Sequence, residues 1–164
     1  AYTAGMIDSD GYITMDSNFN PRIAITATGD RGKAFCIELQ KALGFGKLHL
    51  DQKSPQDTRS VQRLAFYSQR DIGELLSKCG HHLRMKGAQS DALLEVVRIK
   101  KNFKKEIWAK DRILELFKII KYENHKDASN TWEFDKYNID PTEIAKYKEN
   151  CKMSIMDELE GIKK

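Results

Sequence analysis

The chain begins AYTAGMIDSDGYI, and this stretch constrains the fold more than any other. Residues 1–8 read as a short helix. Ala1, Ala4 and Gly5 keep one side of it thin, and helices approach closely where side chains are small. Asp8 and Asp10 follow, then Gly11. From Tyr12 the period changes from helical to two, with Ile13 and Met15 alternating with Tyr12, Thr14 and Asp16. A helix with a thin side therefore ends in two carboxylates and turns directly into a strand.

The alternation resumes after the turn DSNFNP. Ile23, Ile25 and Ala27 alternate with Arg22, Ala24, Thr26 and Thr28, which completes a hairpin with one apolar and one polar face. A helix over residues 32–43 carries Phe35, Leu39, Ala42 and Leu43 and stops at Gly44. Two more strands are expected. GKLHLDQ points Leu48 and Leu50 inward, SVQRLAFYS does the same with Leu64 and Phe66, and KSPQDTRS joins them. Ser68 to Asp71 reads as a capping box for a helix carrying Ile72, Leu75 and Leu76. Further helices are expected over 86–101, with Ala92, Leu93, Val96 and Val97 on one face, and over 103–121. A last helix is capped by Asp140 and Pro141, with Glu143 at its third position. The order is α-β-β-α-β-β-α with a helical tail. It predicts an α+β fold with a curved antiparallel sheet, a core domain over 1–101 and a helical C-terminal extension over 102–164. One sheet face meets helices. The other carries Arg22, Thr26, Lys47, His49 and Arg63, and a sheet with such a face can enter a DNA groove.

Composition agrees. Of 164 residues, 40% are apolar and 32% charged, as in a soluble domain with a real core, and the net charge of +4 favours an anionic partner. No apolar run is long enough for a bilayer and no signal peptide is visible, so an intracellular protein without membrane contact is expected. Cys36, Cys79 and Cys151 form no C-x-x-C pair, which argues for reduced thiols and against a zinc site.

The aspartate pair has several readings. A D-x-D-G string is common in tight turns. An EF-hand loop fails on spacing: starting at Asp8, it puts Ile13 where glycine is needed and Phe19 where glutamate is needed. A glycosidase pair needs two carboxyls around a sugar-sized cleft, which nothing else here supplies. A fourth reading uses the whole stretch. TAGMIDSDG resembles the motif that names the LAGLIDADG homing endonucleases. HHLRMKGAQSDALLEVV resembles that family's second segment, a basic stretch opening a late helix, and LQKALGFGKLHL its helix-glycine-strand junction. The likeness covers about residues 1–100.

The resemblance implies a metal-dependent, site-specific endonuclease acting on double-stranded DNA. Asp10 would hold a divalent ion, Mg²⁺ or Mn²⁺, with help from the Ser9 carbonyl, while Ca²⁺ would support binding without cleavage. Lys86 matches the active-site lysine. Beside the resemblance, Arg84 reads as a phosphate contact or a surface residue. Many members carry glutamine or asparagine near the end of the second strand. Here Thr28 is the best match, with Asp30 as an alternative. One motif copy implies a homodimer on a near-palindromic site, with Ala1, Ala4, Gly5 and Asp8 at the helix interface; Asp8 would also orient the turn. By alternation the DNA face would hold Tyr12, Thr14, Arg22, Thr26, Lys47, His49 and Arg63. Asn18, Asn20, Lys53 and Arg59 would stand at loop tips. Lys104 would touch phosphate, and Trp108 and Trp132 would be core or packing anchors rather than base-stacking platforms. The alternative is a family-like protein that binds nucleic acid without cutting it, as an intron maturase or transcription regulator.

Overall fold

The computed structural model describes residues 1–52, 60–103, 105–127, 132–147 and 149. Two compact units are present, Ala1–Ile120 and a second that begins at Lys121. The elements run α1 (Tyr2–Asp10), β1 (Gly11–Met15), β2 (Pro21–Thr28), α2 (Gly29–Leu43), β3 (Lys47–Gln52), β4 (Val61–Phe66) and α3 (Gln69–Cys79). A 3-10 turn (Gly80–His82), α4 (Gly87–Asn102), α5 (Ile107–His125) and α6 (Trp132–Tyr137) follow. Residues 141–147 are helical as well. The expected α-β-β-α-β-β-α order is present.

All strand pairs are antiparallel, in the order β1-β2-β4-β3. One sheet face is the core. Ile13, Met15, Ile23, Ile25, Leu64 and Phe66 are buried there, with Ile7 of α1, Ile72, Leu75 and Leu76 of α3, and Leu93 and Val96 of α4. Removing such side chains from water is the main favourable contribution to folding. The caps expected from sequence form. Ser68 Oγ accepts from the Asp71 amide at 3.0 Å, and Asp140 Oδ1 accepts from the Thr142 amide at 2.8 Å.

Several expectations are corrected. Helix α1 continues through Asp8 to Asp10, because its last carbonyls find donors outside the helix. Helix α2 starts at Gly29 and buries Gly32, Cys36 and Leu39. Ala42 is exposed, and Phe35 lies at the margin, 6.3 Å edge-on from Tyr2. Close approach explains the rotation: a Cβ on Gly32 would lie 2.8 Å from the Ala27 Cβ, so only the glycine stripe can face the sheet there. Leu48 and Leu50 are half-buried because β3 is an edge strand. Gln62 is fully buried on the apolar face of β4. It accepts from the Asp51 amide at 2.8 Å and donates to Ser60 Oγ at 3.0 Å, which satisfies its amide. Helix α5 begins at Ile107, four residues later than expected. Trp108 is 47% exposed and lies 5.4 Å from Phe103, so it is no core anchor.

The β1–β2 turn is not a free tip. Asp16 Oδ1 accepts from the amides of Asn18 and Asn20, each at 2.9 Å. The Phe19 carbonyl accepts from Lys100 Nζ at 2.7 Å, and the Phe19 ring stands edge-on to Phe117 at 5.2 Å. The turn is thereby tied to α4 and α5. Lys53, Arg59, Lys104, Cys151 and the Trp132 side chain lie outside the described residues.

The helix-to-strand junction allows no side chain at Gly11. A Cβ there would lie 2.7 Å from Ile7 Cα, 2.8 Å from the Ile7 carbonyl oxygen and 3.1 Å from the Ala24 carbonyl oxygen, all backbone atoms. Gly11→Ala should destabilise the fold by about 3 kcal/mol, at the upper end of overpacking costs. Urea unfolding measures it directly, and an unchanged midpoint would show that the junction yields.

Candidate active site and nucleic-acid interface

An α-helix ends with carbonyls that have no partner inside it. At the end of α1 most are taken by residues distant in sequence. Lys86 Nζ donates to the Ile7 carbonyl at 2.9 Å and also to the Asp8 carbonyl. Thr26 Oγ1 donates to the Asp10 carbonyl at 2.8 Å. The Ser9 carbonyl has no side-chain donor among the described residues. A cation at this end also meets the negative pole of the helix. Lys86 is half-buried. Burial pulls its pKa down, opposed by the charges of Asp8 and Asp10.

The backbone around Lys86 is fixed by Asp8, whose carboxylate accepts from the Arg84 amide at 2.8 Å and from the Lys86 amide at 3.0 Å. Asp8 therefore ties the end of α1 to the backbone before α4, a geometry that suits its expected role in orienting the turn. Asp10 remains exposed, with one carboxylate oxygen accepting from Ser9 Oγ at 2.9 Å. Among the described residues, no group of three or more His, Cys, Asp or Glu is gathered as for a complete metal site. What α1 offers is one exposed carboxylate beside one carbonyl.

The residue of β2 beside Asp10 is Thr26 rather than Thr28. Strand register pairs Gly11 with Ile25, which puts Thr26 beside Asp10. Thr28 is exposed, pairs with Val61 and stands at the start of α2, where its side chain makes no cap bond. Asp30 is exposed in the first turn of α2. Ala4 is corrected as well. It is 1% exposed and belongs to the core of its own unit. The exposed line of α1 is Ala1, Gly5 and Ser9, at helical spacing, and a Cβ on Gly5 would have nothing within 4 Å.

The polar sheet face holds the remaining candidates in rows. Tyr12, Ala24, Ala65 and Lys47 form one row, Thr14 and Arg22 begin a second, and Thr26, Arg63 and His49 form a third that starts beside Asp10. The arginines rest on aromatic rings. Arg63 Cζ lies 6.0 Å from the Tyr12 ring centroid, and Arg22 Cζ 5.2 Å from that of Tyr67. Arg63 Nε is buried with no hydrogen-bond partner. Tyr67 Oη lies 3.1 Å from His49 Nε2. Lys47 and Arg84 are exposed. The sequence reading missed Tyr67; its position next to inward-facing Phe66 was the available signal.

No family model and no curated protein matches the sequence. Solved structures do resemble this chain. The archaeal intron-encoded homing endonuclease I-Vdi141I, complexed with DNA, is similar over 85% of this chain and 96% of its own, with a TM-score of 0.61 and 17% identity. The homing endonuclease I-CvuI, in complex with its target in the presence of Ca, is similar over 79% of this chain and 82% of its own, with a TM-score of 0.53 and 18% identity. The LAGLIDADG meganuclease I-AabMI, bound to uncleaved DNA, is similar over 71% of this chain but 42% of its own, with a TM-score of 0.57 and 16% identity. Among the described residues, no helix is long and apolar enough to cross a membrane.

Proposed function

We propose that this chain, which has the fold of the LAGLIDADG homing endonucleases, is a site-specific DNA endonuclease that acts as a homodimer with a divalent metal ion. The observation that carries the reading is the end of α1. It brings exposed Asp10, half-buried Lys86 and the basic sheet face to one place. The sheet face would lie in the major groove, with Arg22, Arg63 and His49 against base edges and Lys47 and Arg84 against phosphates.

The donors suit a shared hard-cation site. Mg²⁺ keeps several waters and needs only one or two carboxylates. Asp10 and the Ser9 carbonyl would hold it, and a second copy would supply the matching carboxylate; Mn²⁺ would serve as well. When bound, the ion supplies an activated water and neutralises phosphate charge. Ser9 Oγ orients the Asp10 carboxylate toward that task. Two N–H groups of Lys86 are held by carbonyls, which leaves the third for an oxygen of the scissile phosphate. Asp8 holds Lys86 in register with α1.

The exposed small-residue line Ala1-Gly5-Ser9 supports the dimer. Gly5→Leu should separate two apposed helices and convert dimer to monomer, with at least about a tenfold loss of cleavage, since each half-site would then lose its paired carboxylate. Light scattering reads the change. A wild-type protein that is monomeric both free and on DNA would refute the dimer.

The reading as a whole is tested by selecting bound duplexes from a randomised library in Ca²⁺. Near-palindromic sequences are expected, and random sequences would oppose it. One observation favours a second reading, a binder that does not cut: the β2 side chain beside Asp10 is Thr26, which lacks the reach of an amide toward an attacking water.

A further inference from the structure

We infer that Tyr67 is a specificity-determining positioning residue, holding Arg22 and His49 together as one base-reading unit on the polar sheet face. This rests on the reading of that face as DNA-binding. Tyr67 follows β4 and is exposed, and it stands next to inward-facing Phe66. Its ring lies 5.2 Å from the Arg22 guanidinium carbon. Its hydroxyl lies 3.1 Å from His49 Nε2, and the two rings meet edge-on at 6.0 Å.

The register makes this arrangement informative. Ile23 pairs with Phe66, so Arg22 neighbours Tyr67 across the strands, whereas His49 pairs with Arg63, four residues back along β4. For its hydroxyl to meet His49, the Tyr67 side chain must lie back along the strand. Ala65, between Arg63 and Tyr67 on this face, is completely buried although it points away from the helices. Its small side chain leaves room for a ring to lie flat. Tyr67 thus bridges β2 and β3 across β4.

A free arginine loses rotamer freedom when it is ordered against a base. Stacking on a ring uses the face of the guanidinium and leaves its hydrogen-bonding fork open. When the phenol donates to His49 Nε2, Nδ1 carries the imidazole proton. Arg22 and His49 then both present donors. Guanine, with O6 and N7 as acceptors in the major groove, matches them best.

The test is competitive binding in Ca²⁺ to every single-base variant of the selected site, with random duplex as control. Tyr67→Ala should lose about tenfold discrimination at the positions that Arg22→Ala and His49→Ala also relax, while random-duplex affinity stays within about twofold. Tyr67→Phe keeps the ring. It should retain the Arg22-dependent discrimination and lose only the part that depends on His49. A Tyr67→Ala protein that discriminates like wild type overturns the inference. So does a uniform loss at all positions and on random duplex, which marks a structural role only. A wild-type protein that binds every duplex alike overturns it together with the reading on which it rests.

Discussion

Asp10→Asn is expected to bind the selected duplex in Ca²⁺ within a few-fold of wild type, and to cut it in Mg²⁺ at least about 10³-fold more slowly. Metal ligation contributes several kcal/mol of transition-state stabilisation, and about 1.4 kcal/mol is a factor of ten in rate. Asparagine keeps the shape of the side chain and an oxygen to accept from Ser9 Oγ, so the end of α1 should stay as it is. The negative charge is what goes. Asp10 is exposed and its side chain ties no other element in place, so folding should be unaffected. Losing an anion near DNA phosphates removes repulsion, and a weaker hold on Ca²⁺ offsets it, hence binding within a few-fold. Single-turnover cleavage beside a binding titration separates the two effects. Full cleavage by Asp10→Asn would remove Asp10 from the reaction.

Lys86→Met should slow cleavage by about 10²–10³-fold, the loss seen when one preorganised donor to a developing charge is removed. Methionine replaces the buried stem and takes away the ammonium. Two carbonyls at the end of α1 lose their charged partner, which should cost about 1 kcal/mol of stability. A melting curve therefore accompanies the rate. Binding in Ca²⁺ should change only a few-fold, and the metal requirement should stay the same. An unchanged single-turnover rate would leave Lys86 as a helix-end clamp and nothing more.

Much of this was legible in the sequence, for identifiable reasons. The period change at Tyr12 announces the helix-to-strand junction, and alternation announces β1, β2 and β4. The candidate residues Asp10 and Lys86 stand in segments resembling known motifs. What failed was direction and register. Thr28 and Asp30 match the end of β2 by position along the chain, but counting along a strand gives no absolute register; only the pairing of Gly11 with Ile25 brings Thr26 to Asp10. Ala4 was placed on the exposed side of α1 because small residues carry little directional signal. Ile7, three residues on, decides it, since both are buried on the same side. On α2, large Phe35 outweighed Cys36 and Gly32 in the apolar pattern, but the sheet admits only the thinner stripe. Trp108 packs on Phe103 outside the core, and half of it meets solvent, which its residue type does not announce.

The central claim is that two copies of the α1 end cut both strands at the centre of a bound site. The most direct measurement maps strand breaks at nucleotide resolution on the duplex selected in Ca²⁺, after transfer to Mg²⁺. One break in each strand is expected, at positions related by the two-fold axis of the site, and none in Ca²⁺. A duplex that stays bound and intact in both Mg²⁺ and Mn²⁺ would contradict the claim and leave the protein a DNA binder that does not cut.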